Sequence, residues 1–228
     1  MPLRRILTVF LFSSLMMVVQ TSSGFGQARI TAEEYSMYAI VLKEIYREQR
    51  RTDHKKYLMV LLSRSSSEPV PELSRADQKP PGWKRDKRMK GLWENFDRRN
   101  KLPVSFQHKF PVKFGVEIVD REQIAVLIEK GKIETENEER NRREKLGTNY
   151  ISDASTCGPF TWKYFYQRFP RANQFYQFSR IGYSANRRYA VVEATGEGFG
   201  SGSNWTYWLI RTTSGWKVYQ ASGGFRIC

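Results

Sequence analysis

The clearest secondary-structure pattern of the chain lies in FYQFSRIGYSANRRYAVVEATGEGFGSGSNWTYWLIRTTSGWKVYQ, residues 175–220. Runs rich in aromatic and β-branched residues alternate there with runs of Gly, Ser and Asn, as is typical of strands joined by turns. Strands that follow each other through short turns pair antiparallel, so the segment predicts a four-stranded meander. The predicted strands are Phe175–Tyr183, Arg188–Ala194, Asn204–Thr212 and Trp216–Gln220, joined by a turn around Asn186, the glycine-rich connection Gly196–Gly202 and a turn at Ser214–Gly215.

Helices are predicted before the meander and at the start of the chain. The later one begins at Pro159 and ends at Pro170. The earlier one begins at Thr31, where Glu34 completes a capping box, and the charged run Arg47–Lys56 ends or loosens it. The fold class is therefore α+β, with helices packed on an antiparallel C-terminal β-meander. The aromatic residues that face inward from the later helix are Trp162, Phe165, Tyr166 and Phe169.

The region between the two helices has a mixed pattern. It predicts a buried strand, a loop, one or two further strands, and a helix with Gln123 in a capping box and Gly131 as its stop signal. The almost wholly charged segment Glu134–Lys145 is either a solvated extension of that helix or a flexible loop. In chain order, the predicted segments are the strand Tyr57–Leu62, the loop Ser63–Gly82, the strand region Val104–Val119 and the helix from Asp120 through Glu129.

The first 26 residues have the parts of a cleavable export signal. Arg4 and Arg5 give a positive start, residues 6–19 carry no charge, and Gly26 or Gly24 provides the cleavage position. The alternative is a retained membrane anchor, but the uncharged run is shorter than the roughly 20 apolar residues that cross a bilayer. We therefore expect a secreted or periplasmic protein. Its parts are a signal peptide (1–26), an N-terminal helical and mixed region (27–146) and a C-terminal aromatic helix with its sheet (147–228), the last two forming either separate units or one domain.

The chain is strongly basic, with 38 Lys and Arg residues against 23 Asp and Glu residues and a formal net charge of +15, of which signal removal takes two. Such a charge favours an anionic polymer, a lipid surface or another envelope protein as partner. The alternative is that the charge only keeps an exported protein soluble. Charge alone bears on association and not on mechanism, so it does not separate the two interpretations.

Basic residues are concentrated in Lys84–Lys101, around Leu92, Trp93 and Phe96. One interpretation is an anionic-polymer site with interleaved aromatics. The other, which we favour, is a solvated helix whose apolar side packs on the core, because no nucleic-acid-binding signature accompanies the patch. The candidate binding residues of the first interpretation are Lys84, Arg85, Lys87, Arg88, Arg98 and Arg99.

The chain contains two cysteines, Cys157 and Cys228. An oxidising compartment favours a disulfide between them, which closes a loop of about 70 residues and stabilises the fold by roughly 4 kcal/mol. The alternative is two free thiols. Together with the two histidines, His54 and His108, the cysteines lack the spacing of metal ligands, so neither a metal nor another cofactor is expected.

Catalytic motifs are missing from the sequence. Neither histidine accompanies a nucleophile motif, and there is no G-x-S-x-G. Glu193 and Glu197 form a carboxylate pair of the kind glycosidases use, but a chain with 23 acidic residues offers many such pairs. The stretch TGEGFGSGS (Thr195–Ser203) lacks the lysine of a phosphate loop and is followed by a strand rather than a helix. It therefore predicts a flexible hairpin connection.

Three C-terminal segments carry a family resemblance: WKYFYQRFP (Trp162–Pro170), FSRIGYSANRRYAVV (Phe178–Val192) and GFGSGSNWTYWLIRTTSGWKV (Gly198–Val218). In them the chain resembles a family of uncharacterised secreted bacterial proteins. The resemblance implies an exported bacterial domain and brings no known activity and no catalytic residue. In the proteins that it resembles, the glycine-rich link often carries cysteines. The link has none here, which leaves Cys157 and Cys228 for any disulfide.

The sequence therefore predicts an exported, non-enzymatic basic protein that binds or supports an anionic envelope component or a partner protein. The alternative is a hydrolase without a sequence motif that acts on an envelope polymer. A concave pocket with converging acidic residues of raised pKa would favour the hydrolase, and a flat basic face would favour the binding protein.

Overall fold

The computed structural model describes residues 29–53, 57–65, 91–146 and 161–227. Within these ranges the helices are α1 (Ala32–Asp53), α2 (Leu92–Asn100), α3 (Arg121–Leu146) and α4 (Lys163–Arg168). The strands are β1 (Met59–Leu62), β2 (Val116–Val119), β3 (Phe175–Phe178), β4 (Gly182–Tyr183), β5 (Tyr189–Gly198), β6 (Ser201–Thr212) and β7 (Gly215–Ile227).

The seven strands form one mixed sheet. Its order is β2-β1-β3-β5-β6-β7, and β4 pairs with β5 beside β3. Strands β3 to β7 pair antiparallel, whereas β1 pairs parallel with both β2 and β3. Parallel neighbours need long crossover connections, and helices α2, α3 and α4 lie in the connections that follow β1 and β2. The predicted α+β class with a C-terminal meander is confirmed, and both the N-terminal and the C-terminal region contribute strands to this sheet.

The middle of the sheet is covered on both faces, which explains why all of β1 and most of β5 are buried. Alternate residues of a strand point to opposite faces. Val192 of β5 and Leu209 of β6 belong to the core under α1, whereas Val191 and Trp208 pack on the other side against α2. Helix α4 covers the same side as α2 near β1 and β3, where Phe165 is fully buried.

Helix α1 begins with the predicted capping box. The Thr31 backbone N–H donates to Glu34 Oε2 at 2.8 Å, and the Glu34 N–H donates to Thr31 Oγ1 at 3.2 Å. The helix runs through the charged segment to Asp53 instead of ending at Arg47. Intrahelical pairs between an acid and an arginine three residues later support this charged end, because such neighbours attract along a helix face.

The predicted first strand of the meander, Phe175–Tyr183, is wrong in one respect, because it is broken into β3 and β4. Helix α2 packs directly on Gly182 at the break. A Cβ at Gly182 would lie 2.5 Å from the Cβ of Phe96 and 2.8 Å from its Cα, so only glycine permits this approach. The close contact with α2 thus displaces β4 from the line of β3.

Helix α3 also departs from its predicted end. It passes through Gly131, the predicted stop, and continues to Leu146, so the charged segment Glu134–Lys145 extends a helix. Gly131 is buried, and Thr135 Oγ1 donates to its carbonyl oxygen at 2.9 Å. Lys163 of α4 pairs with Glu134 and holds the pKa of that carboxyl below its usual value. A single glycine destabilises a helix only weakly, and the contacts of α3 with α4 are enough to continue the helix past Gly131.

Two other predictions concern the extent of the strands. The region Val104–Val119 contains the strand β2 and an isolated bridge between Arg64 and Ser105, which agrees with the prediction of one or two strands. The glycine-rich connection Gly196–Gly202 is instead mostly strand, because β5 and β6 run into it and leave only Phe199 and Gly200 to turn the chain. Gly200 has a φ of 67°, the left-handed conformation that such a turn favours in glycine.

Several predicted features lie outside the described residues. They include the signal peptide, both cysteines, the helix start at Pro159 and the basic residues Lys84, Arg85, Lys87 and Arg88. In the ranges that are described, no helix combines the length and apolar character needed to cross a bilayer.

Candidate ligand-binding site

A concave pocket of about 890 Å³ lies between the C-terminal half of α1 and the sheet face that α1 covers. We call it the aromatic pocket, after the five rings that line it: Tyr166, Tyr176, Phe199, Trp205 and Tyr207. Its size falls within the roughly 300–1,000 Å³ typical of small-molecule sites, and its aromatic lining is typical of them too.

The register of the sheet explains why a hollow forms here. Large residues on one strand face small residues on the next: Trp205 pairs with Ala194, and Tyr207 pairs with Ala221. Gly196 lies between Tyr176 and Ser203 in the same way. Because all these residues point to the same sheet face, the small ones leave a depression that the rings surround.

A hydrogen-bonded cluster of amides and hydroxyls forms the polar part of the aromatic pocket. Gln49 of α1 donates to the Tyr176 hydroxyl at 2.6 Å, and Gln174 donates to the same oxygen. Gln174 also donates to Ser203 Oγ at 3.4 Å. The Tyr176 hydroxyl thus accepts two N–H groups, which leaves its own proton for an acceptor in the pocket.

Two phenols of the pocket stay protonated over the whole physiological pH range. Burial raises the pKa of Tyr176 well above the ordinary value of a phenol. Burial likewise raises the pKa of Tyr207, with smaller contributions from Tyr176 and from Glu44 and Glu48. Both side chains therefore present neutral O–H donors rather than phenolates.

The carboxylates of the pocket belong to its α1 side. Glu44 pairs with Arg47, and Glu48 pairs with Arg51 at 3.2 Å. The Glu48 side chain is 56% exposed, so water solvates it. The described lining includes no Lys, Arg or His, so the pocket itself offers no cation to an anionic ligand.

The tip of the β5–β6 hairpin closes one end of the pocket through Tyr166. The Phe199 backbone N–H donates to the Tyr166 hydroxyl at 3.1 Å, and that hydroxyl donates to the Asn173 carbonyl oxygen at 2.8 Å. One phenol thus connects the hairpin to the chain that leads into β3. The Phe199 ring itself is 48% exposed beside the pocket.

The predicted basic patch does not form one surface in the described part of the chain. Arg98 is exposed, whereas Arg99 pairs with the buried Glu34 and lies over the Tyr183 ring, 5.3 Å from its centroid. Phe96 is buried and Trp93 is half-buried against Trp208 at a ring-centroid distance of 5.5 Å. Neither ring is therefore open for a base to stack on. The described part of this segment fits the interpretation of a helix packed on the core.

The other candidate chemical groups are dispersed. Glu193 is buried and Glu197 exposed, four residues apart on one strand, which separates their Cα atoms by about 13 Å. One carboxyl is buried and the other reaches solvent, and the described lining of the aromatic pocket includes neither of them. His108 is exposed beside the Tyr35 ring, and His54 lies outside the described residues. The described ranges contain no group of three His, Cys, Asp or Glu residues placed to hold a metal ion.

The sequence interpretation missed the aromatic pocket because its residues are spread over α1, α4 and four strands. The signal that could have found it is the alternation of Ala and Gly in β5 against Trp and Tyr in β6. No protein-family model, curated protein or solved structure matched the chain.

Proposed function

We propose that this protein is a non-catalytic binding protein whose aromatic pocket holds a small, largely apolar molecule with a hydrogen-bond acceptor at one end. The observation that carries the proposal is a pocket of about 890 Å³ lined by five aromatic residues, with the phenol protons of Tyr176 and Tyr207 available inside it. The rings supply apolar contact, and the two O–H groups orient the acceptor.

The charges of the pocket support a neutral or cationic molecule over an anionic one. Glu44 and Glu48 are the charged residues of its described lining, and their partners Arg47 and Arg51 lie outside that lining, so an anion in the pocket faces carboxylates rather than a cation. An anionic envelope component, if this basic protein binds one, is therefore proposed to bind elsewhere on the molecule. The positive charge, the export signal predicted for residues 1–26 and the resemblance to secreted bacterial proteins support a place of action outside the cytoplasm.

The hydrolase alternative is less well supported by the same geometry. A general acid needs a carboxyl that stays protonated because it is desolvated. Glu44 and Glu48 instead reach solvent, and each is paired with an arginine. Ser203 faces Gln174 and no base, so it lacks the partner that activates a nucleophile.

The test is a fluorescence titration of the full-length protein with Nile red, a neutral apolar fluorophore that carries a carbonyl acceptor. We expect saturable binding with a blue shift. Ala221→Trp, at an exposed position on the pocket side of β7, fills the pocket and weakens binding roughly tenfold, a loss of about 1.4 kcal/mol. Tyr207→Phe removes one O–H donor and weakens binding by about 1 kcal/mol.

The matched control is Lys217→Trp, which adds the same ring on β7. Lys217 is exposed and pairs with Ile210, whose side chain belongs to the opposite sheet face. Nile red should bind this variant as it binds the wild type. Equal affinities of the Ala221→Trp variant and the wild type would show that the dye binds outside the aromatic pocket, and the proposal would then fail.

A further inference from the structure

A second, smaller pocket lies beside the last turns of α1 and has the opposite electrostatic character. Its volume is about 400 Å³. We call it the cationic pocket, because three of its lining residues are basic: Arg50, Lys113 and Arg171. The aromatic residues Tyr46, Tyr57 and Phe114 form much of the remaining wall.

The three cations come from three different parts of the chain that the sheet brings together. Arg50 is on α1, Lys113 precedes β2, and Arg171 lies between α4 and β3. The Leu58 backbone N–H donates to the Arg171 carbonyl oxygen at 2.9 Å, and the Met59 N–H donates to the Gly115 carbonyl oxygen at 3.0 Å. The starts of the three parallel strands are thus tied together, which fixes the backbone beneath both basic loops.

Among the residues that the structure describes, the lining of this pocket contains no carboxylate to neutralise its charges. None of the three cations forms an ion pair with a carboxylate of a described side chain. The nearby acid of β2, Glu117, is already bound by Arg168 at 2.7 Å. Three like charges that face one cavity repel each other, so an anion that binds among them is stabilised.

The aromatic wall gives the pocket a defined shape. The Tyr46 and Phe114 rings are stacked with centroids 4.1 Å apart and an interplanar angle of 1°, and Tyr57 is buried beside them. The three cations reach solvent at the rim of this wall, and their charge-assisted hydrogen bonds to an anion are stronger than hydrogen bonds between neutral groups. Two guanidinium groups also offer the planar pair of N–H donors that matches the oxygens of a phosphoryl group.

We propose that the cationic pocket binds the phosphoryl group of a small ligand through Arg50, Lys113 and Arg171. The group belongs either to a soluble phosphate ester or to a lipid headgroup, since both present the same oxygens. This site is separate from the aromatic pocket and does not depend on the function proposed for it.

The experiment measures binding of phenyl phosphate to the full-length protein by isothermal titration calorimetry, and binding to vesicles of phosphatidylcholine with and without phosphatidylglycerol by co-sedimentation. Arg171→Gln and Lys113→Gln each remove one cation from the pocket. Arg188→Gln and Lys217→Gln are the matched controls, because each removes the same charge from an exposed position elsewhere. Melting temperatures of all four variants confirm that they fold.

We expect each pocket variant to weaken binding about tenfold while the controls stay within about twofold of the wild type, as for loss of a hydrogen bond to a charged group. Pocket-dependent binding of phenyl phosphate identifies soluble esters as the ligand class, and pocket-dependent binding to the anionic vesicles alone identifies a lipid headgroup. If the pocket and control variants lose the same binding affinity, the proposal is overturned, because the loss then follows from the change in net charge alone. Absence of binding in both assays overturns it as well.

Discussion

Among single residues, Glu34 and Arg99 form an ion pair that joins three elements of the fold, and no local sequence pattern predicts it. Glu34 completes the capping box of α1 and also binds Arg99 of α2, although its side chain is only 5% exposed. Arg99 lies over Tyr183 of β4, and Arg180 donates to the Arg99 carbonyl oxygen at 3.0 Å. One carboxylate therefore holds α1, α2 and the edge of β4 together.

Replacement of Arg99 by Met should lower the free energy of unfolding by about 3 kcal/mol, because the buried Glu34 carboxylate then lacks its counter-charge. Arg98 is the matched control, since it is adjacent on the same helix and exposed. Arg98→Met should change stability by about 0.5 kcal/mol or less. Urea unfolding of both variants measures the difference, and equal effects would contradict a stabilising role of the pair.

Gly196 lies directly beneath Gln174 and Ser203, two residues that line the aromatic pocket. A Cβ at this position would lie 2.5 Å from Ser203 Oγ and 2.8 Å from the Cδ of Gln174. Gly196→Ala should therefore destabilise the protein by about 1–3 kcal/mol through overpacking. At Gly202, on the paired strand β6, a Cβ would meet only an ordinary contact at 3.7 Å, so Gly202→Ala is the control. Thermal unfolding of the two variants tests the prediction, which fails if both lose the same stability.

At the scale of elements, the β5–β6 hairpin shows how one hydroxyl can order a tip that the sequence predicts to be flexible. The Tyr166 phenol accepts from Phe199 and donates to Asn173, so α4, the hairpin and the approach to β3 share one hydrogen-bonded point. The strands also extend into the glycine-rich segment, which gives most of its backbone groups a ladder partner.

Tyr166→Phe keeps the ring and removes the hydroxyl that bonds to Phe199 and Asn173. We expect a loss of about 1 kcal/mol in local stability, and hence faster hydrogen exchange at the Phe199 amide. Tyr219→Phe, at a half-exposed position of β7, is the control and should leave exchange at the hairpin tip unchanged. Unchanged protection of the Phe199 amide in the Tyr166 variant would show that the hairpin holds its tip without the phenol.

For the whole molecule, the predicted disulfide between Cys157 and Cys228 is a covalent link between distant parts of the chain. If it forms, it ties the C-terminal end of β7 to the segment before α4, and its reduction should lower the free energy of unfolding by roughly 4 kcal/mol. Denaturant unfolding with and without reductant measures this difference. Thiol titration of the unreduced, unfolded chain is the direct check, and two titratable thiols would refute the pairing.

The two proposed sites also belong to the scale of the whole molecule, because each combines residues from distant parts of the chain. The aromatic pocket combines α1 with four strands and α4, and the cationic pocket combines α1 with the starts of β1, β2 and β3. They use adjacent faces of the same helix end: Ile45 and Gln49 face one pocket, and Tyr46 and Arg50 face the other. Residues four apart in α1 share a face, so the offset of one residue between these two pairs separates an acidic, apolar site from a basic one.

The sequence by itself determined those features that depend on neighbouring residues. The capping box at Thr31, the turn around Asn186 and the last three strands of the meander follow from local propensity and period, and the structure has them, with longer strands than predicted. The apolar strand predicted at Tyr57–Leu62 is present over Met59–Leu62. The segment with Leu92 and Phe96 was likewise interpreted correctly as a helix packed on the core, because its apolar residues recur at helical spacing.

Only the tertiary structure decided the parallel pairing of β1, the break at Gly182, the passage of α3 through Gly131 and the two pockets. Each depends on residues far apart in sequence: Phe96 excludes a side chain at Gly182, and Lys163 holds the helix beyond Gly131. The aromatic pocket arises where small residues of one strand meet large residues of another, a property of register that no local pattern contains. The cationic pocket arises where α1 meets the starts of β1, β2 and β3. Local periodicity determines most of the helices and strands, and long-range packing determines which side chains meet in the two pockets.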